Sequence, residues 1–426
     1  MRFSAALLSL IFLSVAALTQ NASKSEPEVK SVTVPVTLDH NRVVIDVYVP
    51  LSDGSTKRVR GWVDTGDTEV WISQQVAGLM GLTVSCDGQL CTGTTTTKVV
   101  SLEVIIGGMK IFLPVTGKIR VPGGTAAMAP GMSAEIKIPS SVLRNYDVIV
   151  NFPDREFSIG APGSMKFKGV KSKMIVDGDG GFIQIPSKIE NKNYNLGLDV
   201  GSSISFLSEE LFDKLASGHP DWPHMTGAVG PANMGEADDD ETKWKLMRVS
   251  RVQYGPLYLT DVAVAEFPKT FSAFFEKDAG APIAGLIGAE ALMNYRIGLD
   301  YAHSAVYFDI GRTFKFPDFD VVGLILRPEE DTRFTILGIA DIDGKPSVPT
   351  GDEGLRAGDH LIAVDGIPVV GSTMGQVWSL LEGTPGQERK LTIEREGKQS
   401  AVMAKVQHFL SESAEDQSAR RSERKN

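Results

Sequence analysis

The sequence predicts a mostly β protein in which two homologous lobes precede a small α/β domain. Its 426 residues include 43 glycines and 22 prolines, which favours short strands joined by turns over a helical bundle. One sequence pattern occurs twice, and a different pattern begins after residue 316. We therefore divide the chain into a signal peptide (1–22), a first lobe (30–165), a second lobe (166–316), a C-terminal domain (317–410) and a disordered tail (411–426).

The N-terminus has the pattern of a secretory signal. Met1 and Arg2 lead into an apolar run over residues 3–18, and small and polar residues follow. An uncleaved anchor is the alternative reading. No second apolar stretch approaches about 20 residues, so we expect no membrane span after cleavage and a secreted or periplasmic protein.

The first lobe begins with strand-like alternation. Residues 31–38, 43–49 and 57–62 predict three strands, with a hairpin turn at Asp53-Gly54. A short helix is predicted at residues 74–80. Cys86 and Cys91 flank an Asp-Gly turn, and in an exported protein this spacing predicts a small disulfide loop.

The second lobe repeats this order. Residues 181–186 and 194–198 predict strands, and residues 208–215 predict a helix with Ser208 as its N-cap. Downstream, residues 138–146 parallel residues 287–295 and share the pattern Leu-x-Asn-Tyr. A predicted hairpin follows each copy, so the two lobes are interpreted as an internal duplication.

Each lobe also contains an aspartate on a tight turn. Residues 63–68 read Val-Asp-Thr-Gly-Asp-Thr, and residues 198–203 read Leu-Asp-Val-Gly-Ser-Ser. If Asp64 and Asp199 lie face to face, they cannot both ionise, so they share a proton. One then acts as a base on a water while the other protonates or polarises a carbonyl.

The C-terminal domain has a different pattern. Residues 334–339 and 390–396 predict strands, and residues 373–381 predict a helix. Between them, residues 354–366 read Gly-Leu-Arg-Ala-Gly-Asp-His-Leu-Ile-Ala-Val-Asp-Gly.

The two aspartate loops resemble the active-site loops of retropepsin and pepsin-like aspartic proteases. The apolar segment 285–288 is similar to the strand that passes beneath such a loop, and the Cys86–Cys91 loop resembles one found in many pepsin-like first lobes. The resemblance spans about 290 residues. It implies a bilobal β-barrel fold, an extended peptide substrate between the lobes and catalysis by Asp64 and Asp199. The implied supporting loop residues are Thr65, Gly66, Gly201 and Ser202.

Three positions and one missing residue type depart from that family pattern. Val200 stands where threonine or serine is usual, and Pro139 stands where the repeat predicts the counterpart of Gly288. Asp67 replaces a small residue; we expect it to be a solvated turn residue, which would raise the pKa of the shared proton if it lay close. No tyrosine lies between Asp64 and Tyr146, so no flap tyrosine is visible.

Residues 354–366 resemble the signature of PDZ domains in exported bacterial proteases. The resemblance identifies Val322, Gly323, Leu324 and Ile325 as the loop that receives a peptide C-terminal carboxylate. Such domains bind a peptide by adding it as a strand to a sheet edge.

Charge and motif content limit the partners. A net charge of −10 argues against nucleic acid as the main partner. We find no metal, serine-hydrolase or nucleotide motif, and we expect no cofactor and no metal. The sequence predicts a monomeric aspartic-type endopeptidase acting on peptides or proteins. The alternatives are a non-catalytic peptide-binding protein on a decayed protease scaffold, and a homodimer in which each chain supplies one working loop.

Overall fold

The computed structural model describes most of the chain between residues 29 and 410. The described ranges are 29–87, 90–94, 101–114, 119–122, 131–132, 134–178, 180–235, 240–267, 272–275, 280–311, 319–342 and 344–410. The predicted signal peptide and tail lie outside them. Within these ranges no helix has both the length and the apolar character that a membrane crossing needs.

The first lobe is a set of short strands with two short helices. The strands are β1 (Ser31–Pro35), β2 (Thr37–Asp39), β3 (Arg42–Pro50), β4 (Thr56–Asp64), β5 (Thr83–Asp87), β6 (Leu90–Thr94), β7 (Ser101–Ile106), β8 (Met109–Pro114), β9 (Ile119–Pro122), β10 (Ile136–Pro139), β11 (Asp147–Asn151) and β12 (Glu156–Gly160), and the helices are α1 (Gln74–Leu79) and α2 (Ser140–Leu143). The main sheet has the order β10-β4-β3-β7-β8, and β5, β6 and β9 form a smaller one. The predicted hairpin at Asp53-Gly54 joins β3 to β4.

The second lobe forms a larger sheet that closes on itself. Its strands are β13 (Val170–Lys173), β14 (Ile175–Asp177), β15 (Phe182–Ile189), β16 (Lys192–Leu198), β17 (Ser205–Leu207), β18 (His224–Thr226), β19 (Lys245–Tyr254), β20 (Leu257–Glu266), β21 (Gly285–Ile287), β22 (Tyr295–Asp300) and β23 (Ala305–Ile310), with helices α3 (Glu209–Gly218) and α4 (Ala289–Leu292). Eight of these strands form the larger sheet, in the order β14-β15-β16-β21-β17-β20-β19-β18. An extra pairing of β15 with β19 makes this sheet barrel-like. Ser208 is the N-cap of α3, as predicted, and accepts a hydrogen bond from the Leu211 N–H.

The two lobes share one sheet. Its order is β1-β12-β11-β22-β23-β13, so each lobe contributes three strands. The central pairing is antiparallel, with Ile149 opposite Gly298. The strands β11 and β22 each continue from one copy of the Leu-x-Asn-Tyr repeat, so the duplicated segments meet at the centre of this sheet.

The C-terminal domain is a sheet packed with one helix. Its strands are β24 (Asp320–Val321), β25 (Leu324–Pro328), β26 (Phe334–Ile339), β27 (Asp341–Ile342), β28 (Lys345–Pro346), β29 (His360–Val364), β30 (Ile367–Pro368), β31 (Glu388–Arg395), β32 (Lys398–Lys405) and β33 (Gln407–His408), and the helix is α5 (Met374–Leu381). The main sheet has the order β25-β26-β29-β31-β32, so β25 lies at an edge. A capping box of Thr373 and Gln376 begins α5.

Each of the two large hydrophobic cores joins residues from two parts of the chain. One core joins most of the first lobe to part of the second. The other joins second-lobe residues such as Phe206 to C-terminal residues such as Phe334 and Leu361. Burial of this shared apolar surface stabilises the contact between the second lobe and the C-terminal domain. The predicted fold class, mostly β with two barrel-like lobes and a small α/β domain, is confirmed.

Candidate active site

The first aspartate lies where β4 ends. Strand β10 runs parallel to β4 beneath it, with Pro139 opposite Asp64. The chain then turns into α2, and the Ser140 N–H donates to the Asp67 carbonyl at 2.9 Å. This bond ties the end of the aspartate loop to the strand below it.

The second lobe repeats this arrangement. Strand β16 ends at Leu198, and β21 runs parallel to it with Ile287 opposite Leu198. The Ala289 N–H donates to the Ser202 carbonyl at 2.8 Å, as Ser140 does to Asp67. The segment 285–288 therefore passes beneath the second loop, as the sequence predicts.

The two loops bring Asp64 and Asp199 into contact. Their exposed fractions are 5% and 7%, and a hydrogen bond joins the two side chains. A Cβ at Gly66 would lie 2.2 Å from Asp199 Oδ2, and one at Gly201 would lie 2.6 Å from Asp64 Oδ1. Glycine is thus required in each loop because the carboxylate of the other loop lies against its backbone.

Each carboxylate is held by backbone N–H groups of its own loop. Asp64 Oδ1 accepts a hydrogen bond from the Gly66 N–H at 2.9 Å. Asp199 Oδ1 accepts from the Gly201 N–H at 2.8 Å and the Ser202 N–H at 3.0 Å. These bonds fix the direction in which each carboxylate faces.

Thr65 locks the loops together from one side. Its hydroxyl donates to the Leu198 carbonyl at 2.7 Å and accepts from the Val200 N–H at 3.0 Å. Val200 occupies the matching position of the second loop and is fully buried. A valine side chain cannot make the two equivalent hydrogen bonds to the first loop. One hydroxyl therefore links the two loops, where the symmetry of the lobes would allow two.

We expect Thr65→Val to destabilise the fold by about 2 kcal/mol, because it removes two buried hydrogen bonds while keeping the side-chain shape. Val200→Thr is the matched variant and is expected to add up to about 1 kcal/mol, since its hydroxyl would face Val63 as Thr65 faces Leu198. Urea denaturation of both variants measures the two effects. Equal stability of Thr65→Val and the wild type would contradict the lock.

Burial raises the pKa of both carboxyls. Burial raises the pKa of Asp64 well above its usual range, and the nearby charge of Asp199 raises it further. Burial raises the pKa of Asp199 to about 6, against the lowering effect of the Gly201 and Ser202 N–H groups. The pair therefore keeps a proton at a pH where an exposed aspartate has lost it.

A buried lysine beside the pair was not singled out by the sequence reasoning. The ammonium of Lys137 forms an ion pair with Asp67, and its side chain is 4% exposed. Its Nζ lies 4.5 Å from the ring centroid of Trp71, within cation–π range. Lys137 lowers the pKa of Asp64, whereas Asp67 raises it. The only sequence signal is a lysine within the apolar strand β10.

The expectation that Asp67 is a solvated turn residue is wrong. Its side chain is 19% exposed and is paired with Lys137. The second half of the expectation holds, because Asp67 lies close enough to raise the pKa of both Asp64 and Asp199. The physical reason is that β10 places a cation beside it.

Pro139 fits where the repeat predicts glycine. Its φ and ψ are −83° and 174°, and those of Gly288 are −86° and 175°. Proline adopts this φ without strain. The Gly288 N–H donates to the Ser205 hydroxyl. Val70 is the first-lobe residue that corresponds to Ser205, and valine has no hydroxyl. The N–H that Pro139 lacks would therefore have no such acceptor in the first lobe.

The remaining predicted residues lie away from the aspartates. Val322 and Gly323 lead into β25, which begins at Leu324 and includes Ile325. The Val322 N–H donates to the Leu381 carbonyl at the end of α5.

Cys86 lies opposite Cys91 in the β5–β6 pairing. The side chains of both cysteines lie outside the described part, so the disulfide stays a prediction.

One cluster of carboxylates lies elsewhere on the surface. Glu209, Asp213 and Glu266 have ligand atoms within 4.8 Å of one another. Lys245 already pairs with Asp213 and Glu266, each at 3.2 Å. The ammonium supplies the positive charge there, and nothing further in the described residues points to a metal.

Comparison with known proteins identifies the C-terminal domain. A family model described as "PDZ domain" matches residues 323–406. Residues 323–406 are a PDZ domain. The match spans β25 to β32, so Gly323, Leu324 and Ile325 lie within the PDZ domain and Val322 directly precedes it.

The chain has a distant likeness among solved structures. An aspartic proteinase from Irpex lacteus has a TM-score of 0.40 and 13% sequence identity, and the alignment covers 66% of this chain and 97% of that one. A likeness at this level assigns no activity. No curated protein matches the chain in sequence.

Proposed function

We propose that this chain is an exported aspartic-type endopeptidase in which Asp64 and Asp199 activate water. One observation carries the proposal: two buried carboxylates, on loops of matching construction, are in hydrogen-bond contact and have raised pKa values. A pair of charges buried for structural reasons alone would be costly without a cation between them. Such a pair is, however, what general acid–base catalysis requires.

The proposed reaction needs a single shared proton. The ionised member takes a proton from a water as the water oxygen attacks the substrate carbonyl carbon. The protonated member donates its proton to the carbonyl oxygen, and a neutral tetrahedral diol forms. Proton transfer to the amide nitrogen then allows the C–N bond to break, and no covalent enzyme intermediate forms. We assign the shared proton to Asp64, because its carboxyl accepts one backbone N–H whereas that of Asp199 accepts two, and such bonds favour the ionised form.

Other residues have supporting roles in this proposal. Gly66 and Gly201 let the carboxylates approach, and Thr65 and Ser202 hold the loops. An extended peptide would lie between the lobes, and the protein would act outside the cytoplasm as a monomer. The PDZ domain suggests peptide binding as a second activity.

The raised pKa values give the proposal a testable pH dependence. The active form has one proton on the pair, so kcat/KM is expected to fall below about pH 6, as the pair takes up its second proton. It is expected to fall again at higher pH, when Asp64 ionises. Digestion of a peptide library from pH 3 to 9 measures this profile. An optimum near pH 3 would contradict the assigned protonation states.

The same experiment separates the rival function. A non-catalytic peptide-binding protein would leave every peptide in the library intact across the whole pH range. Binding of intact peptides without cleavage would therefore replace the endopeptidase proposal with the binding one.

A further inference from the structure

The peptide-binding groove of the PDZ domain lies between the edge strand β25 and helix α5. A peptide ligand enters such a groove as an added strand, so it needs the outer N–H and C=O groups of the edge strand. In this chain those groups, and the space beside them, are in contact with residues from both lobes.

Asn233 of the second lobe pairs with the edge strand. Its Oδ1 accepts from the Leu326 N–H at 2.9 Å, and its Nδ2 donates to the Leu326 carbonyl at 2.9 Å. One side-chain amide thus makes both bonds that a residue of an added antiparallel strand makes. Asn233 is 4% exposed, and its Nδ2 also bonds to buried Glu241.

The other side of the groove is also covered. Gly230 lies against α5, where a Cβ would be 3.2 Å from Trp378 Nε1. The ring of His40, from the first lobe, meets the Trp378 ring edge-on at 5.2 Å. Burial lowers the pKa of His40 to about 3, so this ring is neutral. The cavity that remains has about 10 Å³, at or below what one water molecule needs.

The turn that contains His40 is anchored to the start of α5. Asp39 Oδ1 accepts hydrogen bonds from the Thr373 hydroxyl at 2.9 Å and from the Gly375 N–H at 3.0 Å. A Cβ at Gly375 would lie 2.2 Å from Asp39 Oδ1 and 2.3 Å from the His40 backbone N. Glycine at this helical position is therefore required by the contact with the first lobe.

The segment that covers the groove also touches the second aspartate loop. The Ser203 hydroxyl donates to the Pro231 carbonyl at 2.8 Å, and the Ser202 hydroxyl lies 3.9 Å from the Met234 sulfur. The backbone N–H of Ser202 in turn binds Asp199. Residues 230–234 thus contact the PDZ groove on one side and the Asp199 loop on the other.

We infer that residues 230–233 are an internal ligand of the PDZ groove, and that a peptide C-terminus which displaces them loosens the Asp199 loop. The competing ligand has an apolar end, because Leu324, Leu326, Met374, Trp378 and Leu381 line the groove. Its effect on cleavage rests on the proposed function; its effect on binding and on the loop does not. The docked segment supports the Asp199 loop, so its displacement by a peptide lowers activity. The coupling between the groove and the loop is reciprocal, because each site changes the free energy of the other by the same amount.

The test compares full-length wild type with Asn233→Ala and with Gly375→Ala, which opens the groove from the first-lobe side and favours the helix. Asn193→Ala, at an exposed asparagine of β16, is the matched control. The probe is a fluorescent decapeptide library with four random C-terminal residues and free carboxylates. The same library with C-terminal amides measures background binding.

Both groove variants are expected to bind the free-carboxylate library at least 10-fold more tightly than wild type and the control. Hydrogen exchange at amides 199–204 is expected to become at least 10-fold faster in Asn233→Ala. Equal binding by all four proteins, or tighter binding with unchanged exchange in the loop, would overturn the inference. Tighter binding and faster exchange in a chain that cleaves nothing would instead uphold it and reject the proposed function. If Asn233→Ala does not fold, peptide added to Gly375→Ala must produce the faster exchange.

Discussion

Asp199→Asn is expected to lower kcat/KM by about 10⁴-fold, because an amide cannot take a proton from water. Asp64→Asn is expected to have an effect of the same size, since it removes the proton donor of the pair. Both variants keep the side-chain volume, and the Asp199 variant keeps a carbonyl oxygen that can accept from the Gly201 and Ser202 N–H groups. Asp221→Asn changes an exposed aspartate and is the matched control.

Asp199→Asn is also expected to stabilise the fold at neutral pH. The folded-state pKa of Asp199 is raised from 3.8 to about 6, so its contribution favours folding below pH 4 and is lost as the pH rises through 6. Asparagine never ionises and avoids that loss. The shift corresponds to at most about 3 kcal/mol at pH 7.5.

Urea denaturation of the wild type and Asp199→Asn at pH 4 and pH 7.5 measures this effect. The variant should be more stable at pH 7.5, and the difference should shrink at pH 4. A variant that is less stable than the wild type at pH 7.5 would show that Asp199 is a structural turn residue, and would contradict the buried dyad.

Lys137→Met is expected to destabilise the fold by about 3 kcal/mol, because it leaves the partly buried Asp67 without its cation. It is also expected to move the alkaline limb of the kcat/KM profile to higher pH. The reason is that Lys137 lowers the pKa of Asp64, and its removal lets that pKa rise.

Asp67→Asn is the matched variant, with a shift of opposite sign. It removes an anion that raises the pKa of both Asp64 and Asp199, so both limbs should move to lower pH. Asparagine can still accept the hydrogen bond that Asp67 Oδ1 receives from the Glu69 N–H. The double variant with Lys137→Met should recover part of the lost stability. Shifts of the same sign in the two single variants would contradict the electrostatic account.

Local patterns in the sequence predicted the fold class and the loops well. The Asp-x-Gly turns, the Leu-x-Asn-Tyr repeat and the N-cap at Ser208 each depend on residues that are close in the chain. The hairpins that follow the repeats were predicted too, and β11–β12 and β22–β23 confirm them. Their union in one sheet depends on pairing between Asp147 and Asp300, which no local pattern contains.

The features that the sequence reasoning missed all depend on distant residues. Lys137 pairs with Asp67 across 70 positions, and Asn233 pairs with Leu326 across 93. Asn233 follows a Gly-Pro-Ala turn that reads as an ordinary loop. Its role arises only when two parts of the chain fold against each other, so neither periodicity nor motif spacing could reveal it.

The central claim is that Asp64 and Asp199 together activate water for peptide hydrolysis. Digestion of a peptide library at pH 7 in water enriched in ¹⁸O tests it most directly, with mass spectrometry of the products of wild type, Asp64→Asn, Asp199→Asn and Asp221→Asn. Wild type and Asp221→Asn should release peptides whose new C-terminal carboxylates contain ¹⁸O, and the two dyad variants should release none above background. Labelled cleavage by either dyad variant at the wild-type rate, or no cleavage by the wild type, would contradict the claim.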